Sequence, residues 1–241
     1  MAQQTDRAKR VRLGSALTYT LGRSFAFVAR FPVLTALLFL VQLGRHFAEA
    51  MVREETALSL VSLLAALTLT LPAYPMVRWL HSGGDRTYAR RLETKAVACF
   101  ALVMALQAVF HALALFVWTR GPMAVGFAGF GLLFVPLIVR FLVAAPLGIL
   151  IPPRDSMRVM VRDYGFALAF TIFAPLPLLC LQFLLDWIAS ETTSENLHWI
   201  LFAAEAAATV ALALVTIMSQ YVVATRPAPL APVSKQNEGA V

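Results

Sequence analysis

Six long stretches of the chain are nearly uninterrupted hydrocarbon: roughly 31–50, 57–78, 96–118, 126–151, 166–188 and 198–224. Each offers the ~20 apolar residues that a helix needs to cross a bilayer. The polar residues inside them recur at helical spacings of three, four and seven. Thr35, Gln42, His46 and Glu49 share one face of the first stretch, and Gln107 and His111 stand four apart in the third. Thr171, Pro175, Gln182 and Asp186 align in the fifth. In the sixth, His198, Glu205, Thr209 and Thr216 form a stripe that continues to Ser219 or Gln220. Such stripes are costly against lipid and are expected to face a bundle interior. The pattern predicts an all-α membrane protein, a bundle of six transmembrane helices.

Two further segments have an amphipathic, basic character that suits short helices lying at the interface. Residues 8–27 place Val11, Leu13, Leu17, Leu21 and Phe25 near one face; residues 154–170 mix Met157, Val159, Met160 and Val161 with Arg158 and Arg162. The expected layout is a basic N-terminal arm over 1–30, a transmembrane domain over 31–224 and a disordered, Pro-rich tail over 225–241. Small residues at Ala204 and Ala208, and at Ala207 and Ala211, have the spacing of close helix packing. Pro72, Pro75, Pro136, Pro146, Pro175 and Pro177 are expected to kink or end the spans they occupy.

Composition agrees with the pattern. Hydrophobic residues make up 60% and charged residues 14% of the chain, against about 45–50% and 25% in soluble domains. The net charge of +7 would suggest nucleic acid if it were not distributed by loop. The arm carries Arg7, Lys9, Arg10, Arg12, Arg23 and Arg30. The second connection carries Arg78, Arg86, Arg90, Arg91 and Lys95, the fourth Arg154, Arg158 and Arg162, and the tail Arg226 and Lys235. The other connections hold only Arg45, Arg53 and Arg120 beside several carboxylates. This asymmetry predicts that both termini are cytoplasmic. The expected partners are membrane lipids, with anionic headgroups at the cytoplasmic face, and not nucleic acid. A homo-oligomer or a protein partner stays open.

One permanent charge lies within a span. Arg140 stands among fourteen Leu, Ile, Phe and Val residues between Phe130 and Leu150. At about −0.3 to −0.6 kcal/mol each, they outweigh the ~2.5–3.5 kcal/mol cost of a central arginine. Counting back from Ile151 at about 1.5 Å per residue puts Arg140 near the midplane. Two readings stand: an ion pair with Glu205 that holds span four against span six, or a side chain that snorkels to the interface. Gln107 and His111 lie at a similar level. Arg140, Glu205, Gln107, His111, Thr209, Thr216, Gln182 and Gln42 are therefore the candidate intramembrane polar cluster. It serves either to bond helix to helix or to line a path for solute or lipid.

Catalytic chemistry finds no footing. "EETAL" at 54–58 begins like a glutamate-pair protease motif, but position 59 is Ser where an arginine is needed. No Gly-x-Ser-x-Gly and no His-Glu-x-x-His occurs. Cys99 and Cys180 lie in apolar runs without metal-ligand spacing. A His111–Glu205 proton relay is the nearest thing to a reactive pair. No cofactor is expected, and no enzyme.

The stretch "VRFLVAAPLGILIPP…SMRVMVRDYGFALAF" resembles bacterial six-span proteins similar to the membrane domain fused to some glycerophosphodiester phosphodiesterases, and its stand-alone relatives. The shared features are an Arg in the fourth span, a Pro six residues later, a basic amphipathic segment and a Gly opening the fifth span. Here these are Arg140, Pro146, residues 154–164 and Gly165. The resemblance implies a six-helix bacterial inner-membrane protein. Phosphodiesterase activity is not expected, because the hydrophilic stretches (the arm, 79–95 and the tail) hold no catalytic domain. The first expectation is a non-enzymatic protein with a structural, lipid-interacting or envelope-maintenance role. The second is a small permease or flippase-like transporter using a polar intramembrane path.

Overall fold

A computed structural model describes residues 13–116, 122–192, 194–227 and 230, and every regular element among them is helical. In order these are α1 (Leu13–Arg30), α2 (Pro32–Met51), α3 (Glu55–Thr68), α4 (Ala73–His81), α5 (Arg86–Arg90) and α6 (Thr94–Phe116). They continue as α7 (Pro122–Ala144), α8 (Pro153–Met160), α9 (Tyr164–Phe173), α10 (Leu176–Glu191) and α11 (Glu195–Thr225). Six segments among the described residues are long and apolar enough to cross a membrane: Pro32–Met51, Thr56–His81, Thr94–Leu113, Phe130–Leu147, Pro153–Glu191 and Asn196–Thr225. The N-terminal arm before Leu13 and the tail from 231 lie outside the described residues.

Prolines set the breaks. The second segment is interrupted by turns over 69–72, ending at Pro72, and the fifth by a turn at Ala174 and Pro175. The fourth stops at Ala144 and tightens into a 3-10 turn over Ala145–Leu147 that contains Pro146. Pro136, by contrast, sits inside an unbroken α7. The chain threads so that arginines of α1, α4, α5 and α8 gather at one end of the bundle, the basic end. Glu49 and Asp186 lie toward the other, the acidic end.

α11 is the hub. It packs against α10, α2, α1, α7, α9 and α4. The core runs along it through Val210, Leu214, Val215, Met218 and Val223, joined by Phe27, Met76, Val77, Val139 and Phe170 from the surrounding helices. The outward faces are studded with exposed Val33, Leu64, Val109 and Phe183, as expected where the solvent is hydrocarbon.

The face by which α1 joins the bundle corrects the sequence expectation. Leu13, Leu21 and Phe25 of the expected apolar face point outward, and Ala16, Thr20, Ser24 and Phe27 are buried instead. Phe27 joins the core and Leu17 packs against it, while Ala16, Thr20 and Ser24 fill the rest of the inward face. Val11 falls outside the described residues. In α8, Met160 is fully buried, whereas Val161, just beyond it, is exposed.

Arg78 clamps the basic end. Its guanidinium is fully buried; Nε donates to the Tyr88 carbonyl at 3.1 Å, Nη1 to the Pro146 carbonyl at 3.3 Å and Nη2 to Glu93 Oε1 at 2.8 Å. It also lies over the Tyr88 ring, 4.1 Å from the centroid. Burial pushes the Tyr88 phenol above its usual range, against the pull of the Arg78 charge. One side chain thus ties α4, the loop holding α5 and the end of the fourth segment together.

Gly148 turns the chain out of that segment in the left-handed region, with φ of 73°. A Cβ there would stand 3.3 Å from the backbone nitrogen of Ala96. Gly148→Ala is therefore expected to destabilise the protein by about 1–3 kcal/mol through backbone strain and crowding. Thermal unfolding in detergent measures this; a change within the error of the wild type would show that the turn relaxes freely.

Candidate intramembrane polar site

The polar stripes of the first, fifth and sixth segments meet one another. On α2, spacing of three and four puts Gln42, Arg45, His46 and Glu49 on one side of the helix, and Arg45 and His46 meet α11 there. Arg45 Nη2 lies 3.4 Å from Glu205 Oε1, and Arg45 Nε lies 3.3 Å from Glu49 Oε1. His46 is nearly fully buried; its Nδ1 is 3.4 Å from Glu49 Oε2 and its Nε2 is 3.5 Å from Glu205 Oε1. Its ring stacks on Phe202 with centroids 5.1 Å apart, and His198 meets the same phenylalanine edge-on. Asp186 of α10 is close enough for its charge to act on Glu205.

The imidazole is the variable member. A neutral ring carries one N–H. If Nδ1 donates to Glu49, Nε2 can accept from Arg45 Nη2, which stands 3.4 Å away. A protonated ring donates to both carboxylates and so bridges α2 to α11 through Glu205. The cluster presents no nucleophile, and no group of three metal-ligating side chains occurs among the described residues.

Deeper in the bundle, Gln42 is fully buried and donates to the Ala65 carbonyl of α3 at 3.1 Å, while its Oε1 has no hydrogen-bond partner among the described residues. Gln182 of α10 donates to Thr209 Oγ1 of α11 at 2.5 Å. The Gln182–Thr209 bond is expected to contribute about 0.6 kcal/mol, and no more than about 1.7, because polar groups in unfolded membrane helices find other partners. Gln182→Leu with Thr209→Val in a double-mutant cycle reads it; coupling well above that range would mark a contact of another kind.

Toward the basic end, a cavity of about 180 Å³ opens between α4, α6, α7 and α11, with Thr70, Gln107, Thr216 and Gln220 among its walls. Gln107 and Thr216 thus share one cavity, apart from the Arg45–Glu205 cluster. His111 turns along its own helix, with Nδ1 2.8 Å from the Gln107 carbonyl. The expected meeting of His111 with Glu205 is not found: the histidine beside Glu205 is His46.

Arg140 provides the main correction. Its Nη1 donates to the Ala224 carbonyl of α11 at 2.8 Å. Ala224 lies nineteen residues beyond Glu205, about 28 Å along the helix. The Arg140–Glu205 pair is therefore excluded, and the side chain is turned toward the basic end. The sequence reading ran the helix to Ile151; α7 stops at Ala144, one turn beyond Arg140, and the side chain reaches Ala224 rather than Glu205. Arg45, counted in the sequence as a loop charge, takes the place beside Glu205. Its signal was there: it immediately precedes His46 on the polar face of the first span.

Comparison with protein-family models, curated proteins and solved structures finds no match.

Proposed function

We propose that this is a non-enzymatic multi-pass protein of the bacterial inner membrane, with both termini cytoplasmic and a structural, lipid-interacting or envelope-maintenance role. One observation carries this reading: the polar side chains of the spans are largely engaged in contacts between helices. Glu205 meets Arg45 and His46, Gln182 meets Thr209, and Gln42 meets the Ala65 carbonyl. The loop arginines support a cytoplasmic basic end, where they would face anionic headgroups.

Reconstitution tests the role. In vesicles carrying a headgroup-labelled lipid, a membrane-impermeant quencher should stop at the outer leaflet's share, as in protein-free vesicles. Quenching that runs to completion would sink the proposal.

A second reading, a small permease or flippase, draws on the cavity that holds Gln107, Thr216 and Gln220. It requires cysteines placed at Thr209 and Thr216 to react with water-soluble thiol reagents.

A further inference from the structure

Between α2 and α11 lies an open groove of about 360 Å³, walled by Pro32, Ala36 and Phe39 on one side and Ala207, Ala211 and Leu214 on the other. Close packing was expected of the Ala207–Ala211 spacing, yet Ala207 is exposed and no helix among the described residues covers this stretch. Thr35 is the one hydroxyl in the lining, and it donates to its own helix, to the Phe31 carbonyl at 3.1 Å. The one hydroxyl of the lining is thus satisfied within its own helix, and the walls of the groove suit hydrocarbon.

Its dimensions select the kind of hydrocarbon. Pro32 to Phe39 spans about 10 Å of helix, which fits within one leaflet of a ~30 Å hydrocarbon core. At ~30 Å³ per water-sized group the groove holds on the order of a dozen. A helix from a second copy would need a seam running the whole span, but toward the acidic end α2 and α11 close on each other at His46, Phe202 and Glu205.

Its mouth selects the headgroup. The groove begins at Pro32, the first residue of the span, at the basic end. The neighbouring Phe31 ring is faced by Arg86 and Arg90, at 5.9 and 5.7 Å from its centroid. Arg30 precedes it, and all three arginines are exposed. None of the three has a carboxylate within ion-pairing distance among the described residues.

We infer that this groove binds one acyl chain of an anionic phospholipid, whose phosphate is held by Arg30, Arg86 and Arg90 at the basic end. The inference rests on the lipid-interacting reading and gives it a site.

The test uses the full chain in phosphatidylcholine vesicles containing a minority of phosphatidylglycerol with a photoreactive group in its acyl chain. Adducts should concentrate on 28–39 and 207–214, several-fold above the lipid-facing stretch around Phe183 of α10. Ala211→Trp, which fills the groove, should lower them several-fold while leaving α10 labelling unchanged. The combined Arg30→Gln, Arg86→Gln and Arg90→Gln variant should lower groove labelling by the phosphatidylglycerol probe and spare that by a phosphatidylcholine probe. Even labelling of all lipid-facing helices would overturn the site. So would protection of the groove together with a disulfide-linked dimer formed by Ala211→Cys. Neither result depends on transport: a protein that moves lipid between leaflets would sink the functional proposal and leave the groove standing.

Discussion

Replacing Arg78 with leucine is expected to destabilise the protein by about 3–5 kcal/mol, the range for removing one member of a buried, hydrogen-bonded charge pair. Most of the effect comes from the acceptors left behind. The Tyr88 and Pro146 carbonyls lose their donors, at about 1–3 kcal/mol for each that stays buried and unsatisfied. Glu93 is partly exposed and turns to water, so its share is smaller. Arg78→Lys should recover little. A lysine ammonium keeps the charge but cannot place donors on three acceptors spread around a planar fork. Heat or denaturant unfolding in mild detergent measures both variants, and a loss of under about 1 kcal/mol for Arg78→Leu would show that the guanidinium is not holding the basic end.

The second large effect is expected at Glu205. Its removal as Glu205→Leu takes an anion from between Arg45 and His46 at a site that is nearly buried. The expected cost is about 2–3 kcal/mol, below the full range for a buried pair. The reason is that Glu49 remains, 3.3 Å from Arg45 and 3.4 Å from His46. Glu205→Gln keeps the shape and one acceptor and should cost about half as much. If the leucine variant is as stable as the wild type, desolvation of the pair has cancelled its attraction.

Much of this arrangement was legible in the sequence. Six apolar runs gave six membrane-length segments, and spacing of three, four and seven picked out His46 on α2 and Glu205 on α11, which do meet, with Gln42 and Thr209 bonding instead to α3 and α10. Period is a local property, and a helix carries it through to the folded state. Depth and partner are not local. Arg140 was given the wrong partner: Pro146 marked a break, but that the helix stops at Ala144 and the side chain reaches along α11 to Ala224 depends on how the segments pack. Arg78 and Arg45 were read as loop charges. Burial of Arg78 needs Tyr88, Glu93 and Pro146 to fold over it from three separate segments. Burial of Arg45 needs α11 alongside. The exposed faces of α1 and the open stripe at Ala207 were misread for a related reason. In lipid a large apolar side chain and a small one are both at home on the outside, so hydrophobicity alone does not say which packs inward.

That α2 is clasped to α11 through Arg45 and Glu205, with Arg140 taking no part, is tested most directly by two double-mutant cycles. One pairs Arg45→Gln with Glu205→Gln; the other pairs Arg140→Leu with Glu205→Leu. Unfolding free energies in the same detergent should give a coupling of about 1–3 kcal/mol for the first and additivity within about 0.5 kcal/mol for the second. Additivity in the first cycle with coupling in the second would contradict the arrangement and return Arg140 to the side of Glu205.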